Sequence, residues 1–239
     1  MELKGDANGL FIEGMTSSAE LADYLRRKFS EEDIQNAYSS LTEEHIKIAR
    51  AEGTTPLRKF WQALDHAYKS IPPIKCESGC AHCCHTGVTA TQIEWEGILN
   101  NAIENKIDLN KVVERSERTI NRVREALRSD KSSEQIDWHR LVINQPCPFL
   151  DDNQTCIVYE DRPLDCRLGV AFRDQCGSKK LEHAQRGVVI EEAVGATVIA
   201  KIQHDQTPKF KRRKFQGVQP LKLLQHWLIL WQEKNKKKR

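Results

Sequence analysis

In the stretch LRKFWQALDHAY, apolar residues return at three- and four-residue steps, so that Leu57, Phe60, Trp61, Leu64 and Tyr68 share one face of a helix. Gly53-Thr54-Thr55-Pro56, just ahead, reads as a break followed by a proline at the first helical position, where its missing N–H has no intrahelical partner to lose. Pro72-Pro73 ends the run, because a proline ring cannot continue the hydrogen-bond ladder. Two more helices are expected upstream. Ser17-Ser18-Ala19-Glu20 has the form of a capping box before LADYLRRKF, and Ser30-Glu31-Glu32-Asp33 opens a run through IQNAYSSL toward Arg50.

The second half carries the same helical period. Thr91-Gln92-Ile93-Glu94 is another capping box, opening a helix with Ile93, Gly97, Ile98 and Ala102 on one side. A charged helix is expected over 109–129, with Val112, Val113, Ile120, Val123 and Leu127 as its apolar positions. Residues 187–203 (GVVIEEAVGATVIAKIQ) carry opposed signals: β-branched residues favour strand, whereas length and the Ile190/Val194/Val198 spacing favour helix, which is the expectation. A last helix from near Pro220 carries Leu221, Leu224, Trp227, Leu228 and Trp231. Alternating βα units are absent. The expected fold is mainly α, with helical regions joined by an irregular cysteine-rich metal-binding core. Its expected parts are an N-terminal helical region over 1–71, a cysteine-cluster domain over 72–185 with a helical insertion at 91–129, and a C-terminal helical region with a basic tail over 186–239.

Composition sets the compartment expected for that chemistry. With 239 residues, 39% apolar and 30% charged, the chain can bury a sizeable core and needs no disulfides to fold. The first thirty residues show no basic start followed by an apolar run, so no secretory signal is expected. No run of apolar residues is long enough for a membrane span. The expected location is the cytoplasm, where thiols stay reduced, so eight cysteines point to metal or redox chemistry rather than disulfides.

All eight cysteines fall in two clusters: Cys76, Cys80, Cys83 and Cys84, then Cys147, Cys156, Cys166 and Cys176. None is scattered through the helices as a small core residue. Cys80 and Cys83 are separated by two residues, the turn that aims two sulfurs at one ion. On a helix, positions 76, 80, 83 and 84 would share a face, although Gly79 equally suits a passage from loop to helix. Adjacent Cys83 and Cys84 would stand about 100° apart on a helix, so one of them is expected to serve a second metal, a bridging position or no metal. The second cluster is too widely spaced to close alone, and the two clusters are expected to share ligands. His82 and His85 are further candidates, although a histidine beside a metal loop more often faces solvent or supports a ligand. Arg162 and Arg167 flank the second cluster, where guanidinium groups would offset the charge of bound thiolates.

Together, CESGCAHCC, CPFL and CIVYEDRPLDCR resemble the CxxCxxCC cysteine-cluster family, a zinc- or iron-chelating domain. The resemblance covers Cys76 to Cys84 and Cys147 to Arg167. It implies metal chelation by Cys76, Cys80, Cys83, Cys84, Cys147, Cys156 and Cys166, with no agreed enzymatic activity. The first gap here holds three residues where the family's name has two, and Cys176 stands beyond the pattern.

A thiolate-rich donor set suits zinc or an iron–sulfur cluster. The second cluster lacks the paired C-x₂-C knuckles of zinc ribbons, which tips the expectation toward a [4Fe–4S] cluster. Cys76-x₃-Cys80-x₂-Cys83 also has the spacing of radical S-adenosylmethionine enzymes, but no run of βα units accompanies it. The chain holds no GxSxG, Walker A, GxGxxG or HExxH motif. Asp151-Asp152-Asn153 reads as a turn. Finally, residues 209–239 carry eleven Lys/Arg against Glu233 alone. PKFKRRKF interleaves Phe210 and Phe215 with basic residues, so a nucleic-acid or protein partner is one reading of this segment, and a solvated basic terminus is the other.

Overall fold

A computed structural model describes residues 4–5, 10–12, 29–39, 41–42, 45–69, 81–85, 87–129, 135–142, 144–167, 186–188, 190–208 and 221–236. The chain is mainly helical and divides into two compact units. One comprises Met1–Glu77 with Arg167–Gln219; the other comprises Ser78–Cys166 with Pro220–Arg239.

In the first unit, β1 (Lys4–Gly5) pairs antiparallel with β2 (Leu10–Ile12), which takes a third antiparallel strand at 186–188 through Leu10↔Val188 and Ile12↔Arg186. α1 (Glu31–Ser39) opens as its sequence predicts: the Asp33 N–H donates to Ser30 Oγ at 3.1 Å, and the Ser30 N–H donates to Asp33 Oδ2 at 3.0 Å. Residues 41–42 are in π-helical conformation, the Thr42 hydroxyl donates to the Tyr38 carbonyl at 2.7 Å, and α2 spans His45–Ala51. Gly53 sits at φ 71, the left-handed region that a Cβ disfavours, and α3 (Pro56–Lys69) starts at its proline. Leu57, Phe60, Trp61 and Leu64 are buried, as the period required. The LADYLRRKF run, Pro72-Pro73 and the Tyr68 side chain lie outside the described residues.

In the second unit, β3 (Thr89–Ala90) leads into α4 (Gln92–Glu104). Ile93, Ile98 and Ala102 of α4 are buried. The predicted helix over 109–129 is two helices, α5 (Leu109–Arg115) and α6 (Glu117–Arg128). At the join, the Ser116 N–H reaches back only three residues, to the Val113 carbonyl at 3.1 Å. Val112, Val113, Ile120 and Val123 are buried, but Leu127 is 38% exposed. A short α7 (Trp138–Val142) and α8 (Leu164–Arg167) follow.

The ambiguous stretch satisfies both of its signals. Arg186–Val188 is strand β4, paired to β2, and α9 (Ile190–Gln206) continues as helix against α1 and α3, burying Val194 and Val198. The C-terminal helix begins later than expected. Lys222–Leu223 form β5, antiparallel to β3, before α10 (Leu224–Lys236), and Leu221 is exposed. α10 packs on α6. Trp227 is the hinge of this core: it stacks on Trp95 with ring centroids 6.1 Å apart and donates its indole N–H to the Ala90 carbonyl at 2.9 Å. A large side chain buried in this way contributes about 1.5–3 kcal/mol. Among the described residues, no helix is long and apolar enough to cross a membrane.

Candidate metal centre

Five of the eight cysteines lie in described residues, all in the second unit: Cys83, Cys84, Cys147, Cys156 and Cys166. Cys76, Cys80 and Cys176 lie outside the described residues, as does the His82 side chain. Cys83 and Cys84 sit on a 3₁₀ turn, His82–His85, closed by the Cys84 N–H on the Ala81 carbonyl at 3.0 Å. His85 Nδ1 lies 3.1 Å from that same carbonyl, the contact of an Nδ1–H tautomer.

Two backbone bonds tie the second cluster to this turn. The Cys147 N–H donates to the Cys84 carbonyl at 2.7 Å, and the Asn144 N–H donates to the His85 carbonyl at 2.9 Å. Residues from the two clusters, far apart in sequence, thus lie on adjacent strands of chain. From Cys147 the backbone turns at once, with the Leu150 N–H on the Cys147 carbonyl at 3.0 Å, and drives Phe149 into the core against Trp95. A small hairpin follows. The Ile157 N–H bonds the Phe149 carbonyl at 2.9 Å, and Leu150 bridges Cys156. Asp151 builds its turn, Oδ1 accepting from the Asn153 N–H at 3.0 Å and the Thr155 N–H at 2.8 Å, so the acids of this loop serve the backbone as the sequence suggested. Cys156 and Cys147 therefore flank one hairpin.

Cys166 lies on α8, a single turn with little stability of its own. Its neighbours hold it. Asp165 Oδ2 accepts from the Thr89 N–H at 2.7 Å and the Thr89 hydroxyl at 3.0 Å, and Glu94 Oε1 accepts from the Leu164 N–H at 2.8 Å. Sequence reasoning did not single out Asp165 for this tie, and it credited Glu94 only with its local cap.

The thiols sense one another. Cys84 donates its S–H to the Cys83 sulfur, which lowers the Cys83 pKa to about 7, with Arg162 assisting, and raises that of Cys84. Burial pushes Cys147 up to about 12 and raises Cys156 and Cys166, each further opposed by charge on the neighbouring cysteines. Arg162 also eases the ionisation of Cys156. Its guanidinium lies 3.8 Å from the Tyr159 ring centroid. The buried Arg167 guanidinium pairs with Asp65 at 2.6 Å and stacks on Trp61 at 4.5 Å. Among the described residues, no three His, Cys, Asp or Glu side chains are grouped so as to hold a metal ion. The described thiols therefore form no metal cage by themselves. No disulfide joins them.

Buried and set against one another's charge, these thiols hold their protons tightly, and a soft cation is the kind of partner whose charge would offset that repulsion. Residues 75–187, which span both clusters, match the family model of CxxCxxCC, described as a "putative zinc- or iron-chelating domain". No curated protein and no solved structure matches the chain.

Proposed function

We propose that the chain is a metal-binding protein in which both cysteine clusters contribute to one thiolate-rich centre. Cys83, Cys84, Cys147, Cys156 and Cys166 supply the described part of the donor set, and Cys76, Cys80 and Cys176 complete it. The observation that carries this reading is the bond from the Cys147 N–H to the Cys84 carbonyl at 2.7 Å, which draws the two clusters together at their backbones. The bound group supplies positive charge that lets these thiols ionise together; the protein supplies the turns that aim them and Arg162, which tempers their negative charge. Of zinc and iron, we favour an iron–sulfur cluster, because the second set is spaced without C-x₂-C knuckles. A reducing compartment such as the cytoplasm suits this chemistry.

Anaerobic purification with elemental analysis and an absorbance spectrum tests the reading. Stoichiometric iron with acid-labile sulfide and broad visible absorption supports the cluster. Colourless protein with stoichiometric zinc retains chelation and replaces the favoured metal. Cys83→Ser is expected to lower the metal content of the purified protein. Folded, oxygen-protected wild-type protein containing neither metal would sink the proposal.

A further inference from the structure

Glu94 is 2% exposed, yet no lysine or arginine is needed to account for its burial, because three donors converge on its carboxylate. Oε2 accepts from both the N–H and the hydroxyl of Thr91, each at 2.7 Å. Oε1 accepts from the Leu164 N–H at 2.8 Å, 70 residues away. One side chain thus closes the start of α4 and the start of the turn carrying Cys166. Two helical turns further along α4, buried Asn101 donates Nδ2 to Asp161 Oδ2 at 2.7 Å, 60 residues away. The inner face of α4 therefore carries two polar pegs, and both grip the segment between Cys156 and Cys166.

We infer that Glu94 is a positioning residue of the metal centre: by bonding the Leu164 N–H it sets the orientation from which Cys166 reaches a bound ion. The inference rests on the chelation reading and extends it. A four-residue helix cannot fix its own direction; Arg167 anchors its last residue through Asp65, Asp165 ties its exposed edge to Thr89, and Glu94 holds its first N–H. The job requires a carboxylate. Each oxygen faces a backbone N–H, so an amide of the same shape would turn a donor toward one of them and lose that tie. Supports of metal ligands commonly change metal affinity about 10–100-fold when altered.

The test uses the full chain, stripped of metal and titrated with Zn²⁺, then alkylated for timed intervals with N-ethylmaleimide and mapped by peptide mass spectrometry. Zn²⁺ is expected to protect Cys166 in the wild type. In Glu94→Gln, Cys166 is expected to alkylate about 10-fold faster or more in the Zn²⁺-loaded protein, while Cys83 and Cys147 stay protected. Equal protection of Cys166 in the variant and the wild type overturns the inference. A uniform loss of protection across all the cysteines also overturns it, since that is the mark of a general structural role. Protection of other cysteines but not Cys166 in the wild type overturns it while sparing chelation. No Zn²⁺ protection anywhere in the wild type removes chelation and the inference together. If Glu94→Gln does not fold, Asp165→Ala, at an exposed position, releases the other tie of the same turn and is read by the same alkylation ratio.

Discussion

Cys83 and Cys84 are neighbours whose pKa values move in opposite directions: their mutual hydrogen bond lowers that of Cys83 and raises that of Cys84. The remaining described cysteines are held protonated mainly by burial. This gives a definite pH signature for the metal-free protein. Cys147, Cys156, Cys166 and Cys84 are raised above the ordinary 9.0, so the folded state binds their protons more tightly than the unfolded chain does. Their contribution to stability is whole below pH 9.0 and is lost as the pH climbs toward about 12, the value for Cys147. Cys83, lowered to about 7, works the other way and adds stability as the pH rises from about 7 to 9.0. The raised groups outnumber it, so the Tm of metal-free protein is expected to fall between about pH 9 and pH 10.5, read by thermal melts in matched buffers. Metal binding must displace those protons, so apparent metal affinity is expected to rise over the same interval. A flat melting profile would contradict the thiol environments described above.

At the scale of elements, the short strands β3 and β5 matter more than their length suggests. They bring α10 against the start of α4, with the Leu224 N–H on the Val88 carbonyl at 3.1 Å and Trp227 on Ala90. The close approach depends on Gly87. A Cβ there would stand 2.7 Å from Val142 Cγ2 and 3.4 Å from Leu223 Cδ2. Val142 is buried and stiff at χ1, so it cannot swing aside cheaply. Gly87→Ala is expected to cost about 1–3 kcal/mol, measured by denaturant unfolding. Of these elements, the helices were legible beforehand. Ser30 with Asp33 and Thr91 with Glu94 announced two N-termini, and the apolar period of α3 named its buried face. The join at Ser116 and the delayed start of α10 were not legible. Both depend on partners remote in sequence or on the strain of a particular turn, and a helical period says nothing about either.

For the whole molecule, the chelation proposed above would be coupled to folding. Anything that binds the folded chain and not the unfolded one stabilises it, by about 2.7 kcal/mol when its concentration is 100 times its Kd. A chelator that removes the metal is therefore expected to lower the Tm, and returning Zn²⁺ or iron with sulfide to restore it. An unchanged melt after verified metal loss would show that hydrogen bonds and packing alone hold the cysteine loops. The bonds in place give those loops some order of their own: Asp151 shapes the hairpin, Glu94 and Asp165 tie α8, and Asn101 holds Asp161.

The sequence alone determined the helical class, two helix starts, the face of α3 and the thiol chemistry, because these depend on local period, capping and residue type. It also carried the motif by which residues 75–187 match the CxxCxxCC family model. Only the tertiary structure decided that Cys147 bonds to the backbone of Cys84, that the Arg162 charge favours ionisation of Cys83 and Cys156, and that the capping carboxylate of α4 also holds the turn of Cys166. The physical reason is the same in each case. A hydrogen bond between residues 60 or 70 positions apart leaves no periodic trace in the chain, because either partner alone satisfies the local rules equally well without it.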